Sequence, residues 1–577
     1  MFRLSFAFST AVFAIASFCD AAPALRLTNS TVGPVSIAAG GSGTAPLLEA
    51  YNGGNGSLTL GTPQISVPWI TATVGASAPC QTTTLASTCF PIQIKLNVTG
   101  LAASSTPYSG TVTITAPNAV DAPQIIAVLA QVGGAVPSNV SVYVAPGATQ
   151  EVPFTTNSLL NAQTKTNDGN SWLSLALNGT GSFRFVLPYY IQIAPQPNQT
   201  SGTYTGTITT SGSSFAGDNK TINVTMNVTS QPIAQASPIS VVLAQGAAPL
   251  TYPCTPLLSV NNTGIAALSL QNPVVTGGAW LTAAGYSAGA ELTFNPSGLS
   301  PGNYSATVTM GSNAANGPIS VPVTMQVEAT GAPYINFQGI LDNATFVPGD
   351  SVSPGDIAIA QGDQLSLQSY SAGPAPPLAN SVGGASVLVN GEAAPLFYSC
   401  YGQLAFQIPT DAATGMAQVT VQRSGMTSNT VSVNIAPRAP KILLIGGGPY
   451  GAIVNATDGS FPVPAGLFPG YNTHPATAGD TLTIYCIGLG PTNPSVATGA
   501  PAPSTNPLAQ LTVMPQVNFG GSIAPVLATP LFAGLSPTYA GLYQVNVTIP
   551  PGTPTGVTAL SIVFPDSTSN TVLIALQ

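Results

Sequence analysis

The sequence predicts an all-β protein, a row of tandem immunoglobulin-like β-sandwich modules, from three observations. Gly occurs 60 times and Pro 54 times in 577 residues, about a fifth of the chain, and at that density helices are broken repeatedly. Runs such as Thr221 to Val228 and Val321 to Val327 alternate apolar or β-branched with polar residues, between turns rich in Gly, Pro and Asn. That period of two is the strand signature. Two sets of landmarks then recur along the chain, and repeats of about 100 residues with many short strands are sandwich-sized.

The first set is carried by the three tryptophans. Pro68-Trp69-Ile70-Thr71, Ser171-Trp172-Leu173-Ser174 and Ala279-Trp280-Leu281-Thr282 share one context, at intervals of 103 and 108 residues. Downstream of each, Tyr108, Tyr204 and Tyr304 open an alternating strand. These landmarks place modules at 22–134, 135–231 and 232–331. A context repeated three times argues that each Trp fills one buried core position, stacking on sugar rings being the alternative. The tyrosines read as strand-end packing residues for the same reason.

The second set lies in 332–577. Gln403 to Pro409 matches Gln544 to Pro550, Thr414-Gly415 matches Thr555-Gly556, and Ser428-Asn429-Thr430-Val431 matches Ser569-Asn570-Thr571-Val572, each pair offset by 141 residues. Gly355-Asp356 echoes Gly479-Asp480 upstream. Two related units follow, 332–437 and 438–577.

Residues 1–21 read as a secretory signal peptide: Arg3, an apolar stretch from Leu4 to Phe18, and a small-residue site ending at Ala21. Phe18 stands where lipidation of Cys19 would need a small residue. No later stretch has about 18 uninterrupted apolar residues, so none reads as a membrane span. Export permits disulfides. Cys80 and Cys89 bracket a Thr/Ser-rich loop and form a plausible local staple, Cys400 and Cys486 are the next candidate pair, and Cys254 is then left as a buried free thiol.

Composition excludes several function classes. Charged residues are 5% of the chain against a usual ~25%, while apolar residues stay at 44%, unlike a disordered tail or a coiled coil. Nine Lys and Arg in the whole chain cannot build the basic stripe that nucleic acid requires. The low charge density, with a formal net charge of −8, suits an extracellular module that depends little on salt.

The Trp-Leu/Ile pair and the Tyr-led strand after it resemble BACON-type and related bacterial immunoglobulin-like repeats, over about half the chain. That resemblance implies secreted and surface proteins, a suggested carbohydrate- or mucin-binding role, and many copies that act as spacers. The tail, roughly 340–577, more closely resembles an uncharacterised C-terminal domain common in exported proteins of soil bacteria, with halves of the TIG kind. Its carrying motifs are Val389 to Tyr398, Gly402 to Pro409, Gly479 to Tyr485 with Gly488 to Pro491, and Gly541 to Val547. Cys400 and Cys486 depart from that pattern, which points to a bridge peculiar to this chain. The resemblance implies architecture and location but no chemistry.

Few residues suggest catalysis or ligand binding. Gly285-Tyr286-Ser287-Ala288-Gly289 fits the nucleophile-elbow pattern but lacks a strand-to-helix context and a nearby His. Gly446 to Gly451 fits G-x-G-x-x-G but holds Pro449 where a phosphate site needs a helix. His474, the only His, sits in a loop and carries no assigned role. Asp342, Asp350, Asp356 and Asp363 form the densest acidic cluster and are the candidates for a weak calcium site, against turn chemistry. Tyr189-Tyr190 and Tyr398/Tyr401 are the candidate exposed platforms. No cofactor is implied and the chain reads as non-enzymatic. The expected function is adhesion or carbohydrate binding by a secreted or surface protein, its partner a polysaccharide or surface protein. A structural stalk is the alternative, and an extracellular hydrolase is disfavoured because the best motif lacks its partners.

Overall fold

The computed structural model describes residues 23–577 apart from 38–39, 103–106, 120–121, 133–135, 157–158, 178–186, 198, 214–215, 469 and 522–524. The expected signal peptide and the boundary at Gly133-Gly134 fall outside the described residues. The protein is all-β. Among the described residues the one helical element is the 3-10 turn Ala216–Asp218. Every sheet pairing stays within one of five stretches, 24–132, 139–228, 234–328, 334–435 and 441–576. Each stretch stacks sheets around its own apolar cluster, the sandwich arrangement.

The first three modules share one topology. In each, an early strand pairs in parallel with the last: Thr31–Ile37 with Gln124–Val132, Asn139–Val144 with Thr221–Val228, and Ile239–Ala244 with Ile319–Glu328. The last strand also pairs antiparallel with the Tyr-led strand, as Thr221–Val228 does with Gly202–Ser211. Alternate residues of Thr221–Val228 are buried, so the period-two pattern puts one face into the core.

The repeated aromatic landmarks have a shared physical role. Trp69, Trp172 and Trp280 are 8%, 1% and 6% exposed, which makes them core residues and not sugar platforms. In the first two modules the residue two after the tyrosine lies against the indole. A Cβ on Gly110 would stand 3.3 Å from Trp69 and 2.4 Å from Val67, and one on Gly206 would stand 3.3 Å from Trp172. In the third module Ala306 takes that place. The tyrosine hydroxyls each donate back to an upstream carbonyl: Tyr108 to Ala102 at 3.2 Å, Tyr204 to Thr200 at 2.9 Å, and Tyr304 to Ser300 at 2.8 Å. This is the tyrosine-corner arrangement of sandwich domains.

The 141-residue echo in the tail is also a hydrogen-bond device. Asn429 accepts from the Ile335 N–H and donates to the Ile335 carbonyl, and Asn570 does the same to Ile442. Ser428 and Ser569 accept from Val421 N–H and Ile562 N–H. Each Ser-Asn pair therefore ties the first strand of its unit to the sheet edge and meets the obligation of buried backbone groups.

The cysteine pairing differs from the expectation. Cys80 is bonded to Cys89, but Cys400 is bonded to Cys254 across 146 residues, and Cys486 is the free, buried thiol. Cys486 lies inside the core of the last module, where burial pushes its thiol well up and no second sulfur reaches it. Cys400 instead faces the third module.

Candidate functional site

The five modules do not form an open string. The chain doubles back so that the first module meets the third and fourth. Arg26, on strand Leu25–Leu27, donates from Nη2 to Asp363 Oδ2 at 2.5 Å, and its Nη1 lies 3.4 Å from Glu328 Oε2. Glu328 ends the last strand of the third module. Its Oε1 accepts from Tyr401 Oη at 3.1 Å and from Gln364 Nε2 at 2.8 Å, both from the fourth module. Gln326 donates to Gln124 at 3.0 Å, and Asn55 to the Ser428 carbonyl at 3.3 Å.

A second contact is made by the loop that Cys80–Cys89 closes. The Leu85 carbonyl accepts from Phe337 N–H at 2.8 Å and from Tyr334 Oη at 3.1 Å, both in the fourth module. Tyr51, Cys89 and Tyr334 form a small apolar cluster across that contact, with Leu85 packed against it. Glu49 holds the loop in shape. Its carboxylate accepts from Gln81 N–H, Thr82 N–H and Thr82 Oγ1. Burial pushes that carboxyl up, but these hydrogen bonds hold it below the ordinary range.

The junction is electrostatically tuned by burial. Burial works against the Arg26 charge, yet Asp363 and Glu328 keep it more firmly protonated than usual. Burial and the Asp363 charge raise the Glu328 carboxyl to about 8, against the pull of Arg26. Asp363, at 2.5 Å, is thus the closer anionic partner of Arg26, and the Glu328 carboxyl is shifted toward its neutral form. Burial pushes the Tyr401 hydroxyl well up.

Beside these contacts lies a cavity of about 550 Å³, lined by segments of modules one, three and four. It shares Cys254, Asn336 and Gly402 with an adjoining groove of about 400 Å³ on the third and fourth modules. Tyr370 and Tyr398 line that groove, with ring centroids 5.9 Å apart and planes at 37°. Gln403 Nε2 donates to Tyr398 Oη at 2.5 Å and fixes the ring. The Cys254–Cys400 bridge forms part of the wall.

The residues singled out in the sequence fall differently. Tyr398 lies in the groove, but Tyr401 is 5% exposed and packs into the third module's core. Tyr189 is buried, stacks on Phe154 at 5.6 Å and accepts from Leu160 N–H. Neither is a platform, because Tyr189 is buried in its own module and Tyr401 in the core of the neighbouring one. The four aspartates do not converge. Asp350 pairs with Lys441 at 2.6 Å and Asp363 with Arg26. Asp342 caps Ala344, Thr345 and the Thr345 hydroxyl, and Asp356 is fully buried, accepting from Ser353 N–H. Among the described residues no three His, Cys, Asp or Glu side chains come together as a metal site.

The decoy motifs are turns. Strands Leu281–Tyr286 and Gly289–Phe294 pair antiparallel, so Ser287 sits in a two-residue hairpin turn. Gly446 and Gly447 take positive φ of 60° and 68° in a turn closed by Ile445 N–H donating to Tyr450 O. His474 Nε2 is 2.8 Å from Asp458 Oδ2 at a half-exposed loop of the last module. Tyr370 was missed in the sequence, since nothing local marks it and only the bridge to Cys254 sets the groove's wall.

No protein-family model matches the chain, and no curated protein matches it in sequence. Among solved structures, an endo-fucoidan hydrolase of glycoside hydrolase family 107 is similar at 14% identity and a TM-score of 0.18, covering 53% of this chain and 44% of its own. The chain thus spans less than half of that hydrolase. Sidekick-1 immunoglobulin domains 1–5 are similar at 13% identity and a TM-score of 0.14, covering 97% of this chain and 99% of theirs. Drosophila N-cadherin EC1-3 is similar at 11% identity and a TM-score of 0.18, covering 52% of this chain and all of its own. At these values no functional argument passes from them to this chain. Among the described residues no helix is long and apolar enough to cross a membrane.

Proposed function

We propose that the chain is a secreted or surface-held, non-enzymatic protein of the adhesion type that contacts extracellular polysaccharide. The observation that carries this reading is the folded-back junction, which builds an aromatic-lined groove from two modules and braces it with a third. The low charge and the two bridges support an extracellular setting. We also keep as proposals that modules one to three are BACON-type repeats, and that 332–577 is the C-terminal domain of exported soil-bacterial proteins.

The reading as a stalk draws on the same low charge, but a stalk gains reach by extension, and module one here closes on module four. The test is binding of the intact chain to a panel of insoluble and soluble polysaccharides. Saturable retention on at least one is expected. Retention on none, with capture by a surface protein of the producing cell, would replace polysaccharide with a protein partner.

A further inference from the structure

We propose that the groove beside the Cys254–Cys400 bridge takes a segment of uncharged polysaccharide and rejects acidic ones. This rests on the polysaccharide reading above. Tyr370 is 42% exposed and leans against Tyr398. Two aromatic faces at an angle offer an apolar surface for the C–H face of a sugar ring.

The polar lining matches hydroxyl groups. Asn336 and Gln361 line the groove, and among the described residues their side-chain amides form no hydrogen bond within the protein. Each amide offers donors and an acceptor, which suits a hydroxyl that is both. A ligand that left these groups desolvated and unpaired would lose affinity. A sugar segment fits the combination of an aromatic face and amides with open hydrogen-bonding capacity.

Charge then selects the class. Among the described residues no Asp, Glu, Lys, Arg or His lines the groove. Arg26, in the adjoining cavity, is engaged by Asp363 and Glu328. A uronate or sulfate would be stripped of water with no countercharge among the lining residues. The volume, about 400 Å³, lies in the range of ligand sites. The bridge ties Cys400, two residues from Tyr398, to the third module, so the wall is set before the ligand arrives.

The test is affinity electrophoresis of the full chain through gels holding a neutral β-glucan, a neutral mannan, polygalacturonate or a sulfated fucan, each at two salt concentrations. Retardation by a neutral polymer, insensitive to salt, is expected. Tyr370→Ala should weaken it about tenfold, from roughly the stacking worth of one aromatic, and Gln361→Ala several-fold. Tyr471→Ala is the control, since Tyr471 is 67% exposed in the last module. Salt-sensitive retardation by the acidic polymers alone would overturn the neutral class and leave the polysaccharide reading standing. Retardation by a neutral polymer that neither groove variant alters would overturn the site. Retardation by none would overturn both the site and the reading.

Discussion

Glu328→Gln isolates the electrostatics of the junction. The carboxyl is raised from 4.5 to about 8, and the side chain is 2% exposed. A carboxyl raised on folding binds its proton more tightly in the folded state, so it contributes stability that is complete below about pH 4.5. That contribution declines as pH rises and is gone above about pH 8. The shift corresponds to a ceiling of roughly 5 kcal/mol, and relaxation with water entry brings it to on the order of 2 kcal/mol. Glutamine is a neutral isostere that still accepts from Tyr401 and Gln364 and still offers a donor to Asp363. Of the facing groups, Arg26 and Tyr401 are pushed further up and Tyr51 to about 12, so none of the three titrates in this window. Calorimetric melts from pH 5 to pH 9 should show the wild type losing roughly 4–8 °C in the transition of modules three and four, with the variant nearly flat. Parallel profiles would refute the reasoning, because Glu328 would then be ionised or solvated throughout.

Two further outcomes are expected. Peptide mapping of the denatured, unreduced chain should give linked peptides for Cys80–Cys89 and Cys254–Cys400, with Cys486 alkylated; a Cys400–Cys486 peptide would contradict the junction. Gly206→Ala should destabilise the second module by about 1–3 kcal/mol through overpacking, since the new Cβ meets the Lys165 carbonyl at 2.8 Å and Leu173 at 3.1 Å. Tryptophan fluorescence during denaturant unfolding would read this at Trp172, and an unchanged midpoint would refute the packing role given to that glycine.

The fold was legible because its determinants are local and repeated. Period-two burial in Thr221–Val228, one Trp per early module and the Ser-Asn pairs at 428 and 569 each write their structural role into a short motif. The site was not legible, because its residues come from separate modules. Arg26, Glu328 and Asp363 are unremarkable charges in sequence, and only the doubling back brings them together. The cysteines failed for a related reason. A pair is chosen by which module faces which, and the spacing of Cys254, Cys400 and Cys486 does not carry that. Tyr401 misled because an aromatic beside a turn can fill a neighbouring module's core as readily as it can face solvent.

In the intact protein module one closes on modules three and four. Small-angle X-ray scattering of the full chain tests it most directly. A strand such as Gly202–Ser211 has 10 residues, so a sandwich is about 35 Å long, and five end to end span roughly 180 Å. The folded-back chain should give a maximum dimension clearly below that and unchanged between pH 5 and pH 7. A maximum dimension near 180 Å, with the profile of a jointed string, would contradict it.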